Sequence, residues 1–215
     1  MRKRPKALDL FCCAGGASMG LHRAGFDVTG VDIRPQPRYP FKFIQGDALT
    51  VSLEGYDFIW ASPPCQRYSQ LASRWLARLH QYPDLIAPVR KRLIASGLPF
   101  VIENVKGAPL LDPLMLCGTM FGLISSNNRE LQRHRLFEAN GFTLRSRRRC
   151  NHQHPVVGVY GHTGGRELRR GSTPRSGIAE RREVMGIDWM NRDELSQSIP
   201  PIYSEFIGRQ VARLI

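Results

Sequence analysis

Five short apolar runs, separated by helix-forming or turn-forming segments, constrain the first hundred residues more than any other feature. They cover residues 7–11, 28–31, 41–44, 58–61 and 100–102. Residues 18–24 and 85–96 carry helical patterns between them. Strands that alternate with helices predict an α/β fold with a doubly wound, mainly parallel sheet. The connections of such a sheet are right-handed.

The polar residues that close these runs matter as much as the runs. Asp32, Asp47, Cys65 and Glu103 each fall at or just beyond a predicted strand. Ligands of open parallel sheets bind beyond the carboxyl ends of the strands, so four such residues predict one shared site. Ordinary polar loops account for the aspartates one by one. They account poorly for Pro63-Pro64-Cys65-Gln66.

Beyond Asn104 the pattern loosens. Residues 110–123 are apolar with two glycines, and short strands are expected at 135–138 and 156–160. Residues 141–175 are rich in Arg, Gly and His and read as loop. Helices are expected at 178–185 and 204–214. The simplest division is a core at 1–139, a basic, loop-rich insertion at 140–176 and C-terminal helices at 177–215 that return to the core.

Charge points to a partner. The chain carries a formal +13, from 31 Lys and Arg against 18 Asp and Glu. Between Arg129 and Arg182 stand 13 Arg and 4 acidic residues, so +9 of that charge lies in one stretch. Guanidinium groups pair bidentately with phosphate, which favours nucleic acid. Five cysteines without disulfide-like spacing fit a reducing compartment. No signal peptide or membrane-length apolar run is apparent, and a cytoplasmic location in a bacterial or phage-infected cell is expected.

The turn Phe11-Cys12-Cys13-Ala14-Gly15-Gly16 follows the first run and precedes a helix. Small residues there let backbone approach a nucleotide-like ligand. The three-glycine dinucleotide spacing and the Lys-Ser/Thr ending of a phosphate loop are both missing, which disfavours a dinucleotide or ATP. Asp32 can accept from two ribose hydroxyls, Ile33 can cover an adenine face, and Asp47 can accept from the adenine amino group. An adenosine ligand without a pyrophosphate, such as S-adenosylmethionine, suits this set.

Pro63 and Pro64 stiffen the turn that presents Cys65, and a catalytic thiol needs such presentation. Glu103-Asn104-Val105 follows the fifth run. A carboxyl of raised pKa there can protonate ring nitrogen 3 of a pyrimidine attacked at carbon 6. Arg133-His134-Arg135 lies in the basic stretch, where one arginine can hold a cytosine carbonyl and the other a flanking phosphate.

In this order, together with Tyr203-Ser204-Glu205-Phe206-Ile207-Gly208-Arg209-Gln210, these motifs resemble the cytosine-5 DNA methyltransferases. The resemblance is closest to compact versions from phages and mobile elements, and spans Leu8 to Leu214. It implies a fold of the S-adenosylmethionine-dependent, Rossmann-like type and methyl transfer to carbon 5 of cytosine in double-stranded DNA. It implies Cys65 as nucleophile, Glu103 at nitrogen 3, and Arg133 and Arg135 as positioners of a flipped base. The cofactor pocket it implies is lined by Phe11, Ala14, Gly15, Gly16, Asp32, Ile33, Asp47, Ala48, Pro63 and Ser204, with the terminal helix closing over it.

Three departures stand out. Cys13 replaces a glycine usual in the first motif. Leu131 stands where the glutamine before the arginine motif is usual. Only 67 residues (136–202) separate the arginine and terminal motifs, little room for a target-recognition domain. Low specificity or a second subunit or partner is therefore expected.

Cys150, His152 and His154 form a Cys-x-His-x-His cluster, with Cys117 elsewhere. Zinc favours such ligands, but the spacing matches no standard finger, and no metal is assigned. A basic loop whose histidines touch DNA or solvent is the simpler reading. Rival functions are cytosine methylation of RNA, a catalytically silent nucleic-acid binder, and a folate-dependent pyrimidine enzyme. Intact Cys65 and Glu103 oppose the second, and the adenosine-type site opposes the third.

Overall fold

The computed structural model describes residues 3–68, 82–160 and 176–215. Residues 161–175 of the basic insertion lie outside the described residues. The elements run β1 (Lys6–Leu10), α1 (Gly16–Arg23), β2 (Asp27–Asp32), β3 (Lys42–Gln45), β4 (Phe58–Ala61), α2 (Ile86–Ser96) and β5 (Phe100–Asn104). They continue with β6 (Leu114–Leu116), a 3-10 turn (Gly118–Phe121), β7 (Arg135–Asn140), α3 (Ile178–Met185), α4 (Arg192–Gln197) and α5 (Pro201–Val211).

The seven strands form one sheet in the order β3-β2-β1-β4-β5-β7-β6. Strands β1 to β5 are parallel, and β7 runs antiparallel between β5 and β6. The five expected parallel strands are all present. The register pairs Asn104 with Leu136. The start of β7 therefore meets the carboxyl end of β5, and Arg135 is delivered to the edge where a parallel sheet binds its ligands.

Alternation along the central strands explains why they are buried on both faces. Ala7, Phe58, Trp60, Val101 and Phe137 pack on one side with Leu21, Phe26, Tyr203 and Ile207 from α1 and α5. Leu8, Leu10, Ile59, Ala61, Phe100 and Ile102 pack on the other with Val89 and Leu93 of α2. Helices α1 and α5 touch at Gly20, where a Cβ would lie 2.0 Å from the Pro201 carbonyl oxygen. Only glycine permits that approach.

Three expectations change. Helix α5 begins at Pro201, three residues earlier than anticipated, because proline is well placed in a first helical turn. Residues 156–160 do not form a ladder strand. Val156 makes an isolated bridge to Glu130, while Val157 and Val159 bury themselves against Val184, Ile187 and Leu195. Their alternating pattern is satisfied by that packing. Strand β6 and helix α4 were not anticipated. The first is three residues long, and the second is stabilised by a reciprocal Asn191–Glu194 capping box. Among the described residues, no helix is long and apolar enough to cross a membrane.

Candidate active site

The carboxyl edge of the sheet gathers the motif residues. Cys65 ends the turn that leaves β4. The Ser62 N–H donates to the Leu10 carbonyl (3.1 Å), and the Tyr68 N–H donates to the Cys65 carbonyl (3.0 Å). Asn104 Nδ2 donates to the Pro63 carbonyl at 2.9 Å, which fastens the Pro-Pro-Cys turn to the end of β5. This cross-strand tie gives Asn104 a positioning role that its motif alone did not specify.

Glu103, 8% exposed, forms an ion pair with Arg135 (Oε1 to Nε, 3.2 Å). Burial pushes the Glu103 carboxyl up, opposed by Arg135, a hydrogen bond from Ser62 and Arg133. The net direction is upward. The half-buried Cys65 thiol is also pushed up, first by burial and then by Glu103. Arg135 and Arg133 pull it back down. Thiol, carboxyl and guanidinium thus form one electrostatic unit.

The two arginines do different work. Arg133 is 1% exposed. Its Nη1 donates to the Val159 carbonyl (2.6 Å) and its Nη2 to the Ser196 carbonyl (2.7 Å). Its own carbonyl accepts from the Tyr203 hydroxyl at 2.7 Å. A guanidinium held this way ties the arginine motif to the segments that carry Val159 and Ser196. Burial, then repulsion by Arg135, lowers its pKa to about 9. Leu131, where a glutamine was expected, is buried in the cluster that contains Val157 and Val159.

The cofactor-side residues divide in the same way. At the turn after β1, Phe11, Cys13 and Gly15 all have positive φ, at 62°, 46° and 86°. The Cys13 N–H donates to Asp32 Oδ2, and the Arg34 N–H donates to Asp32 Oδ1, both at 3.0 Å. A carboxylate has about four acceptor positions, so Asp32 retains capacity for a diol. Ile33 beside it is 68% exposed, an aliphatic face left open next to that acceptor. Asp47 is exposed, with one oxygen accepting from the Leu49 N–H (2.8 Å).

Other expected pocket residues are buried supports. Ala48 lies in the core, with its carbonyl taken by Arg92. Ala14 is covered by Trp189, whose Nε1 donates to the Ala14 carbonyl at 2.8 Å. A Cβ on Gly16 would sit 1.8 Å from Ser198 Oγ. Ser204 is fully buried, its hydroxyl donating to the Ala17 carbonyl (2.8 Å). Ser204 thereby links α5 to α1, and α5 packs along α1.

Sequence reasoning missed three residues. Tyr39 packs against Gly15 and Gly30, and its hydroxyl meets Ser18 Oγ at 2.7 Å. It sits in a proline-rich loop without periodicity. Trp189 lies in an equally aperiodic segment. Asp9 was discoverable, since an acid inside a buried strand is unusual. It is fully buried and accepts from Ser18. Burial outweighs that bond, and Asp32 and Glu103 add repulsion, so its pKa rises to about 7. Of the Cys150, His152 and His154 trio, the first two converge with Cys117 and His134, and His154 stands outside the group.

Comparison with known proteins agrees with this geometry. Residues 6–112 match the family model for C-5 cytosine-specific DNA methylases. The type II methyltransferase M.XorII of Xanthomonas oryzae is 31% identical over 128 residues, which cover 48% of this chain and 29% of that protein. The match thus spans under a third of the curated relative. A DNA modification methyltransferase encoded in an E. coli prophage superposes with a TM-score of 0.58 at 16% identity, over 98% of this chain and 99% of that one. The S. pombe Dnmt2 methyltransferase gives 0.59 at 13% identity, over 98% and 99%. The sheet and its neighbours define the S-adenosylmethionine-dependent methyltransferase fold. Within that class, residues 6–112 resemble the C-5 cytosine-specific DNA methylases.

Proposed function

We propose that the chain transfers a methyl group from S-adenosylmethionine to carbon 5 of cytosine in double-stranded DNA. The observation that carries this reading is the union of Cys65, Glu103 and Arg135 in one electrostatic unit at the carboxyl edge of the sheet.

The residues beyond β1 to β3 fit the cofactor. Asp32 offers acceptors for ribose hydroxyls, Ile33 a bare face for adenine, and Asp47 an acceptor for its amino group. When bound, S-adenosylmethionine supplies an electrophilic methyl on a sulfonium. The target base must leave the stack, because its ring faces are inaccessible in a duplex. Arg135 hydrogen-bonds the cytosine carbonyl oxygen. The Cys65 thiolate adds to carbon 6, and a sulfur–carbon bond forms. Glu103 gives its proton to nitrogen 3, which neutralises the charge displaced into the ring. Carbon 5 then takes the methyl as its bond to sulfur breaks. Loss of the carbon 5 proton expels Cys65 and restores the aromatic ring, while nitrogen 3 returns its proton to Glu103.

The Arg-rich stretch supports a nucleic-acid substrate, and Arg145, Arg147 and Arg149 are exposed on the loop after β7. The test is incubation with labelled S-adenosylmethionine and mixed-sequence duplex DNA, followed by nucleoside mass spectrometry. 5-Methylcytosine that disappears in Cys65→Ala is the expected result. Unmodified DNA with cofactor binding intact would overturn the reading, and label found only in RNA would move the substrate.

A further inference from the structure

Four side chains outside the proposed chemistry converge beneath the arginine motif. Cys117, His134, Cys150 and His152 each offer one ligand atom, and all four atoms lie within 4.8 Å of one another. Cys117 Sγ is 3.4 Å from His152 Nε2, and Cys150 Sγ is 3.6 Å from His134 Nε2. The two imidazoles meet edge to face, with ring centroids 5.1 Å apart.

These distances have a specific meaning. Zinc holds thiolate sulfur at about 2.3 Å and imidazole nitrogen at about 2.05 Å in a tetrahedron, so its sulfur–nitrogen edges measure about 3.5 Å. Both cross-pairs match that edge. Two separate thiol–imidazole hydrogen bonds would satisfy either pair alone, but would give no reason for the pairs to share one centre. All four residues come from segments without a ladder of their own. Cys117 lies between β6 and the 3-10 turn, His134 just before β7, and Cys150 and His152 in the basic loop.

The flanking backbone is fixed as it is around metal ligands. The Glu130 carboxylate accepts from the N–H groups of Gln153 and His154, both at 3.2 Å. Thr119 Oγ1 lies 3.3 Å from Cys117 Sγ and accepts from the Asn151 N–H at 3.3 Å.

We propose that Cys117, His134, Cys150 and His152 bind one zinc ion. Four protein ligands close the coordination shell, which makes the site structural. Binding releases the two thiol protons, and two thiolates neutralise the dication. The ion would fix His134, and with it the backbone between Arg133 and Arg135. It would also tether the loop that carries Arg145 to Arg149.

The test uses the full chain, purified without chelator and without a histidine tag. Elemental analysis is expected to find one zinc per chain. Replacement by cobalt is expected to give thiolate-to-cobalt charge transfer and the intense visible bands of a tetrahedral ion. Cys117→Ser and Cys150→Ser should each lose most of the metal, while His154→Gln keeps it. A parent protein that holds no zinc and gives no tetrahedral cobalt spectrum overturns the proposal. So does a Cys117→Ser/Cys150→Ser double variant that keeps a full equivalent. If the cysteine variants do not fold, the cobalt spectrum of the parent decides.

Discussion

Arg133 and Arg135 stand two residues apart in one motif, and the structure predicts opposite consequences for their loss. Arg133→Ala removes two hydrogen bonds from a charged donor to the buried carbonyls of Val159 and Ser196. Such bonds contribute about 1.5–3 kcal/mol each, or about 3–6 kcal/mol gross. The guanidinium's own burial offsets part of this, as its depressed pKa of about 9 records. A net loss of about 2–4 kcal/mol is expected. Arg133→Lys keeps one bond at most and should fall between. Arg135→Ala breaks the pair with Glu103, but the carboxyl can answer by keeping its proton. Its stability should change by about 1 kcal/mol or less, while methyl transfer collapses. Urea denaturation of the three variants measures the first quantity, and single-turnover kinetics measures the second. A stability for Arg133→Ala within about 0.5 kcal/mol of the parent would refute the structural role. Equal destabilisation by Arg135→Ala would refute the division of labour.

Three further outcomes are expected. Glu103→Gln removes a negative neighbour that raises the Cys65 thiol, so alkylation of Cys65 at mildly alkaline pH should speed up. Arg135→Ala should slow it, and mass-spectrometric alkylation rates against pH report both signs. Cys13→Gly should stabilise the protein by about 1 kcal/mol in thermal or chemical denaturation, because Cys13 holds a left-handed φ of 46° that suits glycine better. Asp9, with a folded pKa of about 7, contributes stability that is fully present below the unfolded carboxyl value near 4. That stability is lost as pH rises through 7. Over that window it amounts to as much as about 4 kcal/mol. Asp9→Asn should remove this slope, and parallel pH–stability curves for parent and variant would contradict it.

The parallel half of the fold was legible because its strands are buried on both faces and read as continuous apolar runs, ending where the ligand edge begins. Cys65 and Glu103 were legible for the same reason, since rigid turns and isolated acids at strand ends leave a local signature. Arg133 was not. A charged residue in a basic stretch reads as solvent-facing, and only the return of Val159 and Ser196 to its side reveals otherwise. The burial of Ser204 was equally hidden, because only the approach of α1 brings the Ala17 carbonyl to its hydroxyl. Tyr39 and Trp189 lie in segments without period, where long-range packing alone decides position. The Cys117–His134–Cys150–His152 group escaped a spacing-based reading because its members come from three separated segments.

These misreadings share a cause that bears on the compactness of the chain. The stretch between β7 and α3 is too short, and too rich in Arg and Gly, to bury a core of its own. It must borrow rigidity from the rest of the fold, and several of the borrowed contacts run through the arginine motif or its neighbours. Arg133 ties Val159 and Ser196, Leu131 packs under Val157 and Val159, Glu130 holds the backbone at Gln153 and His154, and His134 faces Cys150. A larger recognition domain would free that motif to serve the base alone. Here one six-residue segment anchors the basic loop and, through Arg135, also sets the charge around Cys65. Contact of the loop with DNA should therefore be felt at the thiol, by way of residues 130–135.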